Sequence, residues 1–369
     1  MGLELDFGRY RIEGRIAAGG MGEVYRATVC TAAGVSKSVA IKLVRSDLAG
    51  QKGFAQLFVE EVRVAMALSH ANVVQAFDVG KIDERWFLAM EFVEGVNLGS
   101  LLSWRRRTGQ GPLPVADALL IAIEALKGLD YAHRRCGDDG SPLSIVHRDV
   151  SPGNILLSRE GEVKVADFGV AKSTLRDVGS LMGTLKGKIP YMPPEQVRGG
   201  AVDRRADLYS LGVVLYEMVA GRRLFSGEGA GLIPLILSGA GHALDALPAP
   251  PELVRILKRV LASDVAVRYT TGAMLRQELE RLAHQEHIFL SSAELAAQVQ
   301  DAMNEHTAGP SSVTSAAEAQ TDHDTVASEP PMGFDALLGK ELLRVEERRA
   351  EPISELSIYT THPGFRSGD

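Results

Sequence analysis

The stretch His147-Arg148-Asp149-Val150-Ser151-Pro152-Gly153-Asn154, with Asp167-Phe168-Gly169 and Pro193-Pro194-Glu195 after it, decides how the rest of the 369-residue chain is read. Asp149 and Asn154 stand five residues apart on a loop, and Asp167 follows a short hairpin. Together these three groups offer two oxygen donors for a hard divalent cation such as Mg²⁺. They also leave a carboxylate able to accept a hydroxyl proton beside it. Chance recurrence of all these groups in this order is negligible.

Two signals lie upstream. Ala18-Gly19-Gly20-Met21-Gly22-Glu23-Val24 falls between two predicted strands. Glycines there let a hairpin backbone approach phosphate oxygens. A dinucleotide fingerprint would need a helix after the glycines, and here a strand follows. Val39-Ala40-Ile41-Lys42 ends an apolar strand in a lysine. Its economical partner is Glu61, on the apolar side of a predicted helix over 54–68, with Glu60 as the fallback. The β-rich runs 10–16, 24–29, 38–44, 73–79 and 86–90 surround that helix. Beyond Gly95 the spacing turns helical, at 115–135, 203–220, 251–262 and 271–284.

Over roughly residues 10–283 the sequence resembles the eukaryotic-type (Hanks-type) serine/threonine protein kinases, in the style of their bacterial branch. The resemblance implies an α+β, bilobal fold, with a small β-rich N-lobe at 1–93 and a larger, mainly helical C-lobe at 94–283. A helical extension at 284–305 and an acidic, disordered tail at 306–369 would follow. It also implies a transfer of the ATP γ-phosphate to protein hydroxyls, with Mg²⁺. Gly19, Gly20 and Gly22 would cover the phosphates, and Lys42 would hold them while paired to Glu61. Ala17, Val24, Ala40 and the gatekeeper Met90 would line the nucleotide slot, and the hinge Glu91 to Val93 would bond adenine. Asp149 would orient and deprotonate the acceptor hydroxyl, and Asn154 and Asp167 would hold the metal. Asp207 would brace the catalytic loop, and Glu195 would pair with Arg268 structurally. Arg148 would meet a phosphate on the activation segment, with Thr184, Ser180 and Thr174 as acceptors in that order.

Three positions depart from the family pattern. Ala17 replaces its first glycine, Ser151 replaces the catalytic-loop lysine, and Lys188 replaces a threonine below the substrate. The last two read either as an exchange, in which Lys188 and Ser151 keep the ammonium and the hydroxyl in the site with their positions swapped, or as a lost catalytic group at Ser151 with Lys188 facing solvent. Two other classes are weighed against an active kinase. A nucleotide-binding pseudokinase scaffold is favoured by Ala17 and Ser151 and opposed by the intact Lys42, Glu61, Asp149, Asn154 and Asp167. A small-molecule kinase of the same architecture is opposed by Pro193-Pro194-Glu195 and the long 167–195 loop.

Composition agrees with a globular chain, at 45% hydrophobic and 24% charged residues. The net charge of -7 argues against nucleic acid as a partner. Residues 307–369 carry eleven acidic against five basic side chains, so most of that charge belongs to the tail. Within the tail Leu337, Leu338, Leu342 and Val345 share a helical spacing at 334–349, either a marginal helix without function or a docking segment. The tail is expected to be dispensable for catalysis but not for partner choice. Two cysteines, Cys30 and Cys136, form no CxxC pair and read as buried or half-buried thiols of a reducing compartment. No apolar run suits a leader or a membrane span, so a cytoplasmic protein without a membrane partner is expected. Its partners would be protein substrates and either a soluble regulator or a second, trans-autophosphorylating copy. Arg105-Arg106-Arg107 reads as a solvated charge run on a loop. His284 and His287 stand three apart on a predicted helix with no third metal ligand apparent.

Overall fold

The computed structural model describes residues 6–7, 9–19, 22–30, 34–44, 62–82, 85–137, 139–168, 188–227 and 231–308. The chain divides into two units, Met1–Pro310 and Ser311–Asp369. The described residues all belong to the first, so the expectations for the tail and its 334–349 spacing lie outside them.

Valine, isoleucine and alternating polar residues dominate the first part of the chain, and they form a six-stranded antiparallel sheet. Its strands are β1 (Asp6–Phe7), β2 (Tyr10–Gly19), β3 (Gly22–Cys30), β4 (Ser36–Val44), β5 (Ala76–Ile82) and β6 (Arg85–Glu91), in the order β1-β2-β3-β4-β6-β5. The two-residue period of β4 divides its side chains between two apolar clusters. Val39, Ile41 and Leu43 join Tyr10, Ile12, Ala27, Phe87 and Ala89 on one face. Ala40 and Val44 join Val62, Val74, Ala76, Leu88 and Met90 on the other. Lys42 falls between Ala40 and Val44 on this second face, which is turned toward the rest of the molecule.

The expected strand at 73–79 begins only at Ala76. The backbone at Val73 and Val74 is used elsewhere, bridging in parallel to Val165, whose carbonyl accepts from the Val74 N–H at 2.9 Å. Asn72 continues this seam, its amide donating to Val163 O and Glu124 at 2.9 Å each.

A second, three-stranded sheet opens the larger lobe: β7 (Gly95–Asn97), absent from the sequence reading, with β8 (Ile155–Ser158) and β9 (Val163–Val165), which form the hairpin expected before Asp167. Residues 62–67 are helical, within the expected helix at 54–68, and the α-helices of the larger lobe are α1 (Leu98–Arg107), α2 (Val115–His133), α3 (Pro194–Val197), α4 (Arg204–Ala220), α5 (Leu232–Ser238), α6 (Gly241–Asp245), α7 (Pro251–Val260), α8 (Gly272–Gln285) and α9 (Ser292–Ala308). α4 is buried nearly all round, as a central helix must be when others cover every side. Asp203 caps its start by accepting from the Arg205 N–H at 2.8 Å, and Gly221 ends it in the left-handed conformation, φ 67°.

Three sequence expectations are corrected. Arg105, Arg106 and Arg107 lie not on a loop but in the last turn of α1, where basic side chains suit the helix C-terminus, and of the three only Arg106 and Arg107 face solvent. Arg105 is buried and donates to the carbonyls of Gln110, Gly111 and Pro112, while Arg106 reaches the buried Glu217 at 3.2 Å. Cys30 and Cys136 are exposed, because one ends a strand and the other lies in the loop after α2. His287 lies beyond the end of α8 with φ 52°, so it shares no helical face with His284.

The expected extension at 284–305 is a helix displaced to 292–308, and it is part of the core. Leu295, Val299 and Ala302, at spacings of four and three, are essentially inaccessible. Gln298 accepts from Arg105 at 2.6 Å and donates to the buried Asp117. Gly161 has φ 84°, and a Cβ there would meet the Ser292 carbonyl at 2.0 Å, so α9 sits directly on the β8–β9 turn. Leu295→Ala is therefore expected to cost about 2–5 kcal/mol, as cavity-forming core truncations do. Thermal melting checks this, and a melt unchanged from the parent would show that α9 is not held by that contact.

Candidate active site

The glycine hairpin turns between Gly19 and Gly22, which pair directly across β2 and β3. Gly20 and Met21 lie outside the described residues. Gly19 has open space around its Cα, whereas a Cβ on Gly22 would meet the Leu43 carbonyl at 2.2 Å. Gly22 is thus demanded by the approach of β4, a packing reason that the motif alone did not disclose. Two register shifts in β2, between Ile12 and Gly14 and between Arg15 and Ala17, bring Ala17 opposite Val24.

Strand register assembles the apolar slot. Val24 stands opposite Lys42, and Ala40 opposite Met90. Ala40 and Met90 are buried in a cluster against which Val24, Phe92, Val93, Leu156 and Ala166 pack. Leu156 and Ala166 come from the second lobe, so the slot is closed from both sides. Glu91 ends β6 with its side chain turned away, paired to Lys164 at 2.9 Å, while its backbone N–H donates to Gln75 O.

The loop carrying Asp149 is held from below by α4. Asp207 is buried and accepts from the backbone N–H groups of His147 and Arg148, each at 2.8 Å, and its carboxylate also meets His133 Nε2 at 2.7 Å. Arg148 adopts φ 62°, an unfavourable value for a side-chain-bearing residue that this clamp compensates. His147 is fully buried. Its Nδ1 accepts from the Asp149 N–H at 3.2 Å, which leaves Nε2 to donate to Ala166 O at 2.9 Å. That pair of bonds specifies the Nε2–H tautomer. The ring also packs on Phe168, centroids 4.6 Å apart, tying the loop to the Asp167 segment.

Above this support the polar groups converge. The Asn154 amide nitrogen donates to Asp149 twice, to its carbonyl at 2.9 Å and to Oδ2 at 3.0 Å. With both amide hydrogens so used, the Asn154 Oδ1 remains as an acceptor. Lys42 Nζ lies 3.0 Å from Asp167 Oδ1. That ammonium holds the Asp167 carboxyl below the usual carboxylate range, with the hydrogen bond from Lys42 adding to it and partial burial opposing it. Asp167 adopts φ 58°, a second strained backbone position at the same site.

Lys188 comes from the segment before Pro193, and its ammonium forms an ion pair with Asp149. Ser151 is buried beside Asp149, and its carbonyl accepts from the Asn154 N–H at 3.0 Å. The structure thus gathers Lys42, Asp149, Ser151, Asn154, Asp167 and Lys188 at one cleft. Glu60, Glu61 and the acceptors Thr174, Ser180 and Thr184 lie outside the described residues.

The donor set fits a hard divalent cation. An ionised Asp167 carboxylate and the Asn154 Oδ1 offer oxygens only. No group of three or more His, Cys, Asp or Glu side chains able to hold a metal occurs among the described residues. A two-donor protein set suits an ion that takes its remaining ligands from phosphate and water.

Farther out, Glu195 receives both guanidinium nitrogens of Arg268, at 2.7 and 2.8 Å. Two contacts were missed by sequence reasoning. Tyr191 donates to Glu217 at 2.5 Å, and Arg106 meets the same carboxylate, so the segment after Lys188 is tied to α4 and α1. The signal for this lay in an acidic residue on an otherwise apolar helix, Glu217, whose burial demands partners.

A family model described as the protein kinase domain matches residues 10–279. Tyrosine-protein kinase MasK of Myxococcus xanthus is 38% identical over 291 residues, covering 78% of this chain and 45% of that protein. Serine/threonine-protein kinase PrkC of Bacillus subtilis is 34% identical over 276 residues, covering 74% and 40%. Serine/threonine-protein kinase PknL of Mycobacterium tuberculosis is 34% identical over 286 residues, covering 75% and 66%. The chain thus spans less than half the length of the first two relatives. The crystal structure of the Mycobacterium tuberculosis PknI kinase domain superposes with a TM-score of 0.57 at 25% identity, covering 76% of this chain and 99% of that one.

Proposed function

The chain belongs to the protein kinase family, and on that premise we propose that it transfers the γ-phosphoryl group of ATP to serine and threonine hydroxyls of proteins, its own included. The observation that carries this reading is the convergence of Lys42, Asp149, Asn154 and Asp167 on one cleft, above a loop clamped by Asp207. A protein that only bound nucleotide would have no use for a proton acceptor held beside a metal-binding pair.

In this reading the adenine enters between Val24, Ala40, Met90 and Leu156, and bonds the backbone at Glu91 to Val93. Gly19, Gly20 and Gly22 with Ala17 cover the phosphates, and Lys42, with Glu61 as its second partner, positions them. Asp149 orients the acceptor hydroxyl and takes its proton as the oxygen attacks phosphorus. Mg²⁺, when bound at Asn154 and Asp167, neutralises phosphate charge. Asp207 and the Nε2–H tautomer of His147 hold Asp149 at a fixed height in the cleft, which is what positioning demands.

Serine and threonine are favoured as acceptors by the HRDVSPGN loop and by the names of relatives such as PrkC and PknL. The name of the Myxococcus relative favours tyrosine as a second reading. Acid hydrolysis of the protein after incubation with labelled ATP separates them: phosphoserine and phosphothreonine are expected, and phosphotyrosine alone would transfer the assignment. The substrates outside this chain are proteins. A soluble regulator or a second copy acting in trans is the proposed source of control. Among the described residues no helix is long and apolar enough to cross a membrane, and a cytoplasmic site of action is proposed.

A further inference from the structure

Phosphoryl transfer needs positive charge on the oxygens of the moving group, and in this cleft one cation has an unusual origin. Lys42 is engaged with Asp167. Position 151 offers only a hydroxyl and lies buried within the loop. Lys188 enters from outside the loop, 39 residues along the chain from Asp149, and its ammonium contacts Asp149 Oδ2. Its side chain is 37% exposed while that of Asp149 is 7% exposed, so Lys188 reaches from the solvent side to a buried carboxylate.

We propose that Lys188 is a catalytic residue, whose ammonium moves from Asp149 onto the transferring phosphoryl group and is positioned by helix α4 instead of by the loop that carries Asp149. The inference rests on the phosphotransfer reading above and adds a residue and a mode of control to it.

The geometry of its anchor supports the second half. The Tyr191 N–H donates to Lys188 O at 3.1 Å, closing a turn over Ile189–Tyr191 whose three residues are buried. Tyr191 then bonds Glu217 of α4 at 2.5 Å, and Arg106 of α1 bonds the other Glu217 oxygen at 3.2 Å. Three residues therefore separate the ammonium from a fixed point in the core. A lysine on the loop would be in place whenever the loop is folded. Lys188 is in place only when the segment ending at Tyr191 is seated on Glu217, so the seat governs the catalytic charge.

The chemistry supports the first half. Asp149 Oδ2 is occupied by the Lys188 ammonium and by the Asn154 amide. A phosphoryl group carries more negative charge than one carboxylate, so its arrival offers Lys188 a stronger partner and frees Asp149. In the step itself the acceptor oxygen bonds to the γ-phosphorus, and its proton passes to Asp149. The bond from that phosphorus to the β,γ-bridging oxygen breaks, and its electron pair leaves with ADP. Lys188 donates hydrogen bonds to the phosphoryl oxygens throughout and exchanges no proton. Ser151 can supply the hydroxyl hydrogen bond that the exchange displaced.

Steady-state kinetics, nucleotide binding and melting of the full chain test this. Lys188→Ala is expected to lower kcat on the order of a hundredfold while ATP affinity and melting temperature hold. Lys188→Arg should retain more turnover than Lys188→Ala, and Ser151→Lys with Lys188→Thr should recover at least about tenfold over Lys188→Ala. Tyr191→Phe should lower kcat in the parent and have much less effect once Lys188 is alanine, since both act through one group. Turnover of Lys188→Ala within about threefold of the parent would overturn the proposal. A loss tracked equally by ATP affinity or melting temperature would also overturn it, by making Lys188 structural. Asp149→Asn keeps the two readings apart. If the parent transfers phosphate and Asp149→Asn does not, an active Lys188→Ala removes only this inference. If the parent matches Asp149→Asn, the phosphotransfer reading falls and takes this inference with it.

Discussion

Asp167→Asn and Lys42→Met will each cut phosphoryl transfer about a thousandfold, the upper range for loss of one preorganised charge in a catalytic site. Asparagine keeps the shape of the aspartate and loses its charge, so the proposed metal-binding pair of Asp167 and Asn154 drops from one negative charge to none. Methionine keeps the length of the lysine stem packed on the inner face of the sheet and removes the ammonium 3.0 Å from Asp167. Both changes leave the fold standing, since the Asp167 side chain is 41% exposed at the cleft and the Lys42 stem is replaced by an apolar chain of similar size. The two should differ in nucleotide affinity. Lys42→Met should lose the proposed phosphate contact, which needs no metal, whereas Asp167→Asn should bind ATP well in the absence of a divalent cation and gain little when one is added. Turnover with nucleotide titrations in the presence and absence of Mg²⁺ reads both. Retained turnover in either variant would remove that residue from the mechanism.

Arg268→Ala will destabilise the larger lobe by about 3–5 kcal/mol, the range for leaving one partner of a buried ion pair uncompensated. The Arg268 side chain is inaccessible and that of Glu195 is 13% exposed. Arg268 also donates to Ala262 O at 2.8 Å and stacks over Tyr209 at 4.6 Å. Removing it strips a carbonyl and a carboxylate of their donors and opens a cavity on α4. Melting should fall by roughly 10 °C, at about 2–4 °C per kcal/mol. Arg268→Lys should recover only part of this, because an ammonium cannot satisfy the carboxylate through two parallel bonds. Glu195→Gln separates charge from shape, leaving one acceptor for Arg268 and a milder loss. A melt within 2 °C of the parent in Arg268→Ala would show that the pair carries no net stability in this fold.

The cleft residues were legible because their spacing is local: Asp149 and Asn154 share a loop, and Asp167 follows one hairpin later. Lys42 was legible as a lysine closing an apolar strand, with a carboxylate on the apolar side of the next predicted helix as its economical partner. What the sequence hid is mostly long-range. Glu217 reads as one acidic residue on an apolar helix, and only the fold brings Tyr191 and Arg106 to it. The burial of Arg105 depends on Gln298, 193 positions away, which no helical period reveals. Of the second sheet the β8–β9 hairpin was legible, whereas β7 escaped because it holds only three residues, too short for a two-residue period to register. Gly22 was legible as part of a phosphate-covering hairpin, but its approach to Leu43 is a matter of strand pairing. The extension after α8 was legible as helical, yet it begins at Ser292 because the chain first turns at His287.

The most direct test of the central claim is the transfer of labelled γ-phosphate from ATP with Mg²⁺ to the purified protein, compared with Asp149→Asn prepared in the same way. The parent should incorporate label on its own serine or threonine side chains. Asp149→Asn should fall by at least about a hundredfold, as expected for a lost proton acceptor, while binding ATP with unchanged affinity. Equal incorporation by the two proteins, or none by a parent that binds ATP, would contradict the assignment of Asp149 and the reading of this cleft as a phosphotransfer site.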